Sequence, residues 1–191
     1  MNDGTFVPTE RWGPDLYGDP CRECDFGWAI SPAQAVDVIG GIAAEFRALL
    51  QSCTGDERHP DLAWGPVGYA CHVCDNLRAW TEGLAAGLGH SAPVPVPGYD
   101  PDLLAEARRY HRITAEAALW SLTRSAAAWC EIVPQAVTSG VILWHARRGE
   151  QRAEDVARNN AHDATHHLWD VRRVLRAVAD SPVRPAFRPG S

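Results

Sequence analysis

The stretch Asn160-Ala-His-Asp-Ala-Thr-His-His-Leu-Trp-Asp170 carries three histidines and two aspartates in eleven residues. It lies inside a longer segment, from about Arg152 to Ala179, in which Ala157, Ala161, Ala164, Leu168, Val171, Leu175 and Val178 recur at helical spacing. At about 100° per residue these positions fall on one face, which predicts a long amphipathic helix with a stripe to bury against other helices. On such a helix, side chains four apart share a face and can reach one ion. Two pairs satisfy that spacing here: His162 with His166, and Asp163 with His167. Imidazole and carboxylate are ligands for Zn²⁺ and related divalent cations. Asp163 and His167 fall at the edge of the apolar face, where the mouth of a bundle would lie. His162 and His166 fall nearly opposite it. Asp163 and His167 are therefore preferred, with His162 and His166 as the alternative.

Three further helices follow from the same periodicity. Ser31-Pro32 supplies a cap and a first-turn proline, and Val36, Ile39, Ile42, Phe46 and Leu49 then repeat to about Leu50. Gly65-Pro66 opens a second helix with Ala70, Val73, Leu77, Trp80 and Leu84 on one face, to about Gly87. Asp100-Pro101 opens a third, with Leu103, Tyr110, Ile113, Ala117 and Trp120, ending near Cys130. Val141-Ile-Leu-Trp144 fits a short strand and Arg148-Gly149 a turn. Four long amphipathic helices in one small domain predict an all-α four-helix bundle. The expected organisation is an irregular Gly/Pro/Asp-rich arm at 1–30, the bundle at 31–180, and a disordered or extended Pro/Arg tail at 181–191.

Two ligands on one helix do not complete a site. The third candidate is His72, one step from the core-facing Val73 of the second helix. Bundle proteins build metal sites from inward-facing side chains of neighbouring helices. The expected set is His72, Asp163 and His167, holding zinc or, in its place, iron, nickel or manganese. Three protein ligands leave a position open for chemistry.

These motifs resemble the DinB-like superfamily of metal-binding four-helix bundles, which includes mycothiol-dependent maleylpyruvate isomerases and bacillithiol S-transferases. In that family a Trp-led second helix carries a His followed by an Asp or Asn; here Trp64 precedes His72-Val-Cys-Asp75-Asn76. The fourth helix carries His or Glu, then His four residues on, then a pattern like Ala-Val-Asp-Leu; here it reads Asp163-Ala-Thr-His-His167-Leu-Trp-Asp170-Val171. The resemblance spans about residues 31–179. It selects Asp163 and His167, with one departure: an Asp, one methylene shorter than Glu, stands where relatives have His or Glu. It implies a metal-dependent transferase or isomerase that uses a low-molecular-weight thiol as cosubstrate on a small electrophilic molecule. All 18 basic residues are arginine, and Ala, Gly and Pro are abundant, which suits a GC-rich genome and hence mycothiol rather than bacillithiol. Asp75 and Asn76 would orient His72 or the thiol, Asp170 would pair with Arg172 or Arg173, and Trp80 and Trp169 would wall the substrate space. The ligand set also allows an Fe(II) enzyme, or a non-catalytic bundle that binds a metal for a stress or partner-binding role. No particular catalytic or cofactor-contacting residue is singled out.

Two Cys-x-x-Cys pairs stand apart from that site: Cys21-Arg-Glu-Cys24 in the arm and Cys71-His-Val-Cys74 on the second helix. Together they match a zinc pattern, and a Zn(Cys)4 knuckle would pin the arm. Reduced, simply buried cysteines and a redox pair at Cys21 and Cys24 are the other readings.

Composition sets the outer limits. The chain has 191 residues, 46% of them hydrophobic and 22% charged, enough for one sizeable core. The net charge of −6 argues against a nucleic-acid partner, since such proteins carry a basic footprint. No apolar run reaches membrane-spanning length, and Met1 to Glu10 lack the pattern of a signal peptide. The expectation is a cytoplasmic protein with reduced cysteines, acting on a small molecule with no membrane partner; a homodimer is compatible with it.

Overall fold

The computed structural model describes residues 7–51, 53–55 and 57–180; the tail expected at 181–191 and the start of the arm lie outside them. Four long helices form the body: α2 (Pro32–Leu50), α3 (Pro66–Gly87), α5 (Ala115–Thr138) and α6 (Ala153–Ala179). Two short ones, α1 (Pro14–Tyr17) and α4 (Pro101–Ala107), and a 3₁₀ turn at Tyr110–Arg112 lie in the connections. The chain is thus all-α in character, as the periodicity predicts. Among the described residues no helix is long and apolar enough to cross a membrane.

Local chemistry explains the helix starts. Ser31 caps α2 through a reciprocal pair of bonds: its side chain accepts from Gln34 N, and the Gln34 side chain accepts from Ser31 N. Thr114 caps α5 by accepting from Ala117 N, and Asp100 caps α4 by accepting from Asp102 and Leu103 N. Proline occupies the first turn of α2, α3 and α4, where its missing N–H costs nothing.

Each of α2 and α3 packs against both α5 and α6, so α2 and α3, consecutive in the chain, sit diagonally. The long connections 51–65 and 88–114 permit that order. The core between them holds Ile39, Ile42, Phe46, Leu77, Leu84, Leu122 and Trp129, all fully buried. A small sheet closes one end: β2 (Ile142–His145) pairs antiparallel with β3 (Gly149–Arg152), and β1 (Val94–Val96) adds in parallel to β2. The strand and turn expected at 141–149 form this hairpin. β1 carries no signal in the sequence, because a three-residue edge strand with Pro95 at its centre has no pattern of its own. Gly87 of α3 lets the sheet approach closely, since a Cβ there would collide with Val141.

The third helix departs from the sequence reading. It is not continuous from 100 to 130. Arg109 takes a left-handed conformation (φ 54°), the chain turns through Tyr110–Arg112, and a new helix starts at Thr114 and runs past Pro134 to Thr138. The restart resets the helical phase. Ala118, Leu122, Ala126, Trp129, Val133 and Ala136 face the core, while Leu103 and Trp120, read as buried, are 65% and 69% exposed. The arm is irregular as expected, but it is packed down: Cys21, Phe26 and Trp28 belong to the core.

Candidate metal centre

Helices α3 and α6 bring His72, Asp163 and His167 together, each offering a ligand atom within 4.8 Å of the others. His72 Nε2 lies 3.8 Å and His167 Nε2 3.5 Å from the same oxygen, Asp163 Oδ1. These spacings exceed a good hydrogen bond. They suit an ion instead: Zn–N and Zn–O bonds of about 2.0–2.2 Å in tetrahedral geometry place ligands roughly 3.3–3.6 Å apart.

A second layer holds the three side chains in place. Asn76 Nδ2 donates to Asp163 Oδ2 (2.8 Å), which leaves Oδ1 facing the imidazoles. Tyr99 OH in turn donates to Asn76 Oδ1 (3.2 Å). His167 Nδ1 pairs with Asp170 Oδ2 at 3.0 Å, so Nε2 points at the site, the arrangement by which a carboxylate orients a metal-binding histidine. Asp170 Oδ1 also lies 3.6 Å from Arg173, the pairing expected from sequence. The Tyr69 ring stacks on His167 (5.1 Å between centroids) and Trp64 lies 5.0 Å from His72. Gly68 makes room for Trp64, since a Cβ there would fall 2.7 Å from the Trp64 Cβ. His72 Nδ1 is buried with no hydrogen-bond partner.

Without a cation the cluster is an ion pair. Burial is the largest influence on Asp163 and favours its neutral form, but His167 and His72 together, through charge and hydrogen bonding, outweigh it and hold the carboxyl well below the usual carboxylate range. Burial likewise works against charge on His167, yet Asp163 and then Asp170 push its pKa up. Tyr17 and Tyr99 feel Asp163 and Arg148; burial raises both phenols, which therefore remain hydrogen-bond donors at neutral pH.

Other expected roles fall differently. Asn76 orients Asp163 rather than His72, and Asp75 is turned away into a bond from Tyr110 OH (2.6 Å) and an ion pair with Arg108. Trp80 and Trp169 do not wall the triad: Trp80 stacks near His145, and Trp169 lies under Arg173 and beside His166. Trp64 and Tyr69 take that place. A cleft of about 710 Å³ runs between residues 53–68 and 102–116; Trp64 and Tyr110 line it, and the triad does not.

The two Cys-x-x-Cys pairs do not meet, which excludes the Zn(Cys)4 knuckle; Cys71 and Cys74 are buried, as the alternative reading has them. Cys74 Sγ faces Ser125 on α5 (3.3 Å), and Cys71 is buried beside it. Cys21 and Cys24 lie instead against His162 and His166 of α6. Those histidines, read as facing away from the bundle, are covered by the arm, and His162 is 2% exposed. The wheel placed them correctly relative to the other helices but could not anticipate what covers the opposite face. Burial pushes the Cys24 thiol up to about 12, unlike the low-pKa thiol of a redox pair, and likewise raises Cys71.

No family model matches this sequence, and no curated protein matches it. Among solved structures the chain is similar to YfiT from Bacillus subtilis, described as a probable metal-dependent hydrolase with an unusual four-helix bundle topology. The TM-score is 0.70 at 14% identity, over 78% of this chain and 89% of that one. At such identity the likeness speaks for the fold: the chain has the four-helix-bundle fold that YfiT has.

Proposed function

We propose that the chain is a metal-dependent enzyme of the DinB-like kind, with His72, Asp163 and His167 as ligands, that transfers or isomerises through a low-molecular-weight thiol such as mycothiol. The observation that carries the reading is the set of three ligand atoms converging from α3 and α6, two of them oriented by Asn76 and Asp170. The motif resemblance of both helices supports it. His72, Asp163 and His167 would hold a divalent cation, zinc foremost, which would supply Lewis acidity and favour deprotonation of a bound thiol or water. The chain's own residues do the rest. Asp170 fixes the tautomer of His167 by taking its Nδ1 proton in a hydrogen bond. Asn76 keeps Asp163 turned to the site, and Tyr99 keeps Asn76 turned to Asp163. Trp64 and Tyr69 shield the histidines from water. The substrate is proposed to be a small electrophile, and the setting the cytosol, with neither nucleic acid nor membrane as partner.

A second reading takes water in place of the thiol, giving a hydrolase. It is favoured by the description of YfiT. The two are separated by adding thiol to the Co²⁺-loaded protein. The transferase reading expects a new sulfur-to-metal band in the difference spectrum, absent from His167→Ala, and thiol-dependent turnover of electrophiles. An unchanged spectrum with ester or amide cleavage in water supports the hydrolase. An unchanged spectrum with neither activity leaves a non-catalytic bundle.

A further inference from the structure

We infer that Cys21, Cys24, His162 and His166 form a second metal site, a structural zinc centre that fastens the N-terminal arm to α6. It lies apart from the triad and does not depend on the functional reading above. Four groups of the zinc-binding type offer ligand atoms that all lie within 4.8 Å of one another. Their order in the chain, Cys-x₂-Cys followed by His-x₃-His, is that of closed structural zinc sites. Cys21 Sγ is 3.9 Å from His166 Nδ1. Zn–S bonds of about 2.3 Å and Zn–N bonds near 2.0 Å require tetrahedral edges of roughly 3.3–3.8 Å, so the Cys21–His166 edge nearly fits and the other edges contract by at most about 1–1.5 Å. Two thiolates and two neutral imidazoles balance the charge of Zn²⁺, as a buried site requires.

Three independent features point to a ligand there. His162 Nε2 is buried with no hydrogen-bond partner, in a residue 2% exposed. An orphaned nitrogen so placed costs free energy unless something binds the ring. His166 directs Nδ1 at Cys21 while its Nε2 faces Glu23 Oε2 at 3.3 Å, so a carboxylate from the cysteine loop itself orients the histidine. Finally, the loop is already shaped as a chelator: Cys21 N donates to Phe26 O (2.9 Å), Asp25 N donates to Cys21 O (3.0 Å), and Asp25 takes a left-handed turn at φ 61°. Around the site Tyr17, Phe26 and Trp28 pack on His162 with ring centroids 4.5, 5.4 and 4.4 Å away, keeping water out. No position is left open for substrate, so the role is to hold the arm.

The test uses the full chain carrying His72→Ala and His167→Ala, which lacks the first site, purified with zinc and analysed for metal. One zinc per chain is expected, with an X-ray absorption shell of two sulfurs and two nitrogens. Adding Cys21→Ser and Cys24→Ser should remove that zinc, and trypsin should then cleave after Arg22 much faster. Because the cysteine variants could misfold, the absorption shell of the chain that keeps its cysteines decides independently. A folded chain without zinc, a shell without sulfur, or a Cys21–Cys24 disulfide seen as the loss of two hydrogens by mass spectrometry would overturn the proposal.

Discussion

Asp163 is the residue on which the candidate centre turns. One oxygen faces two imidazoles and the other is held by Asn76. The sequence could propose these three ligand candidates because helical spacing aligns Asp163 with His167, as it does His162 with His166, and the apolar stripe of α3 points His72 inward; the three atoms lie together. Tyr99, Tyr69 and Glu23 were not legible. Their contacts depend on how one element slides against another, and no local period encodes that; only Glu23, lodged between two cysteines, carried a sequence hint. Asn76 gives a test at this scale. Asn76→Ala frees the carboxylate to rotate and should weaken metal affinity at the triad by roughly 10–100-fold, the usual cost of losing such an outer partner. Competition against a chromophoric chelator measures it, with unfolding of the metal-free protein as the control. Equal affinity in the two proteins would mean that Asn76 does not orient Asp163.

At the scale of elements, helices with a continuous apolar stripe and a cap were readable: α2, α3 and α6 start within a residue of where Ser31, Gly65 and Arg152 place them. The third helix was misread because Tyr110 and Ile113 happen to keep a helical spacing across a break. Thr114, followed by an acid in the first turn, was the signal for the restart. The arm was read as loose since it lacks a period, although Phe26 and Trp28 are aromatic groups that need cover. The β2–β3 hairpin has a titratable latch. His145 Nδ1 accepts from the backbone N–H groups of Arg147 and Arg148, 3.2 Å each. Burial first, then the nearby Arg148, hold its pKa below 6.5. With the folded value depressed, its stabilising contribution is complete above about pH 6.5 and is lost as pH falls through the folded value. Amide protection of Arg147 and Arg148, corrected for intrinsic exchange, should therefore drop as pH falls below about 6.5. His145→Asn, which keeps an acceptor that does not titrate, should flatten that dependence. Protection in the natural protein that ignores pH would refute the latch.

For the whole molecule, the sequence was sufficient for the number of long helices and insufficient for their order. The diagonal placement of α2 and α3 is set by the paths of the connections 51–65 and 88–114, and proline and glycine there announce loops without saying where they lead. Two pairs of side chains on α6 thereby serve different neighbours. Asp163 and His167 turn toward α3, and His162 and His166 turn toward the arm. The central claim is that the first pair, completed by His72, holds the metal at which chemistry occurs. Anomalous diffraction from crystals of the zinc-loaded protein, recorded on both sides of the zinc edge, tests it most directly. The account predicts a peak about 2.0–2.2 Å from His72 Nε2, Asp163 Oδ1 and His167 Nε2. A peak that joins His72 to His162 and His166, or no peak between α3 and α6 in a fully loaded crystal, would contradict it.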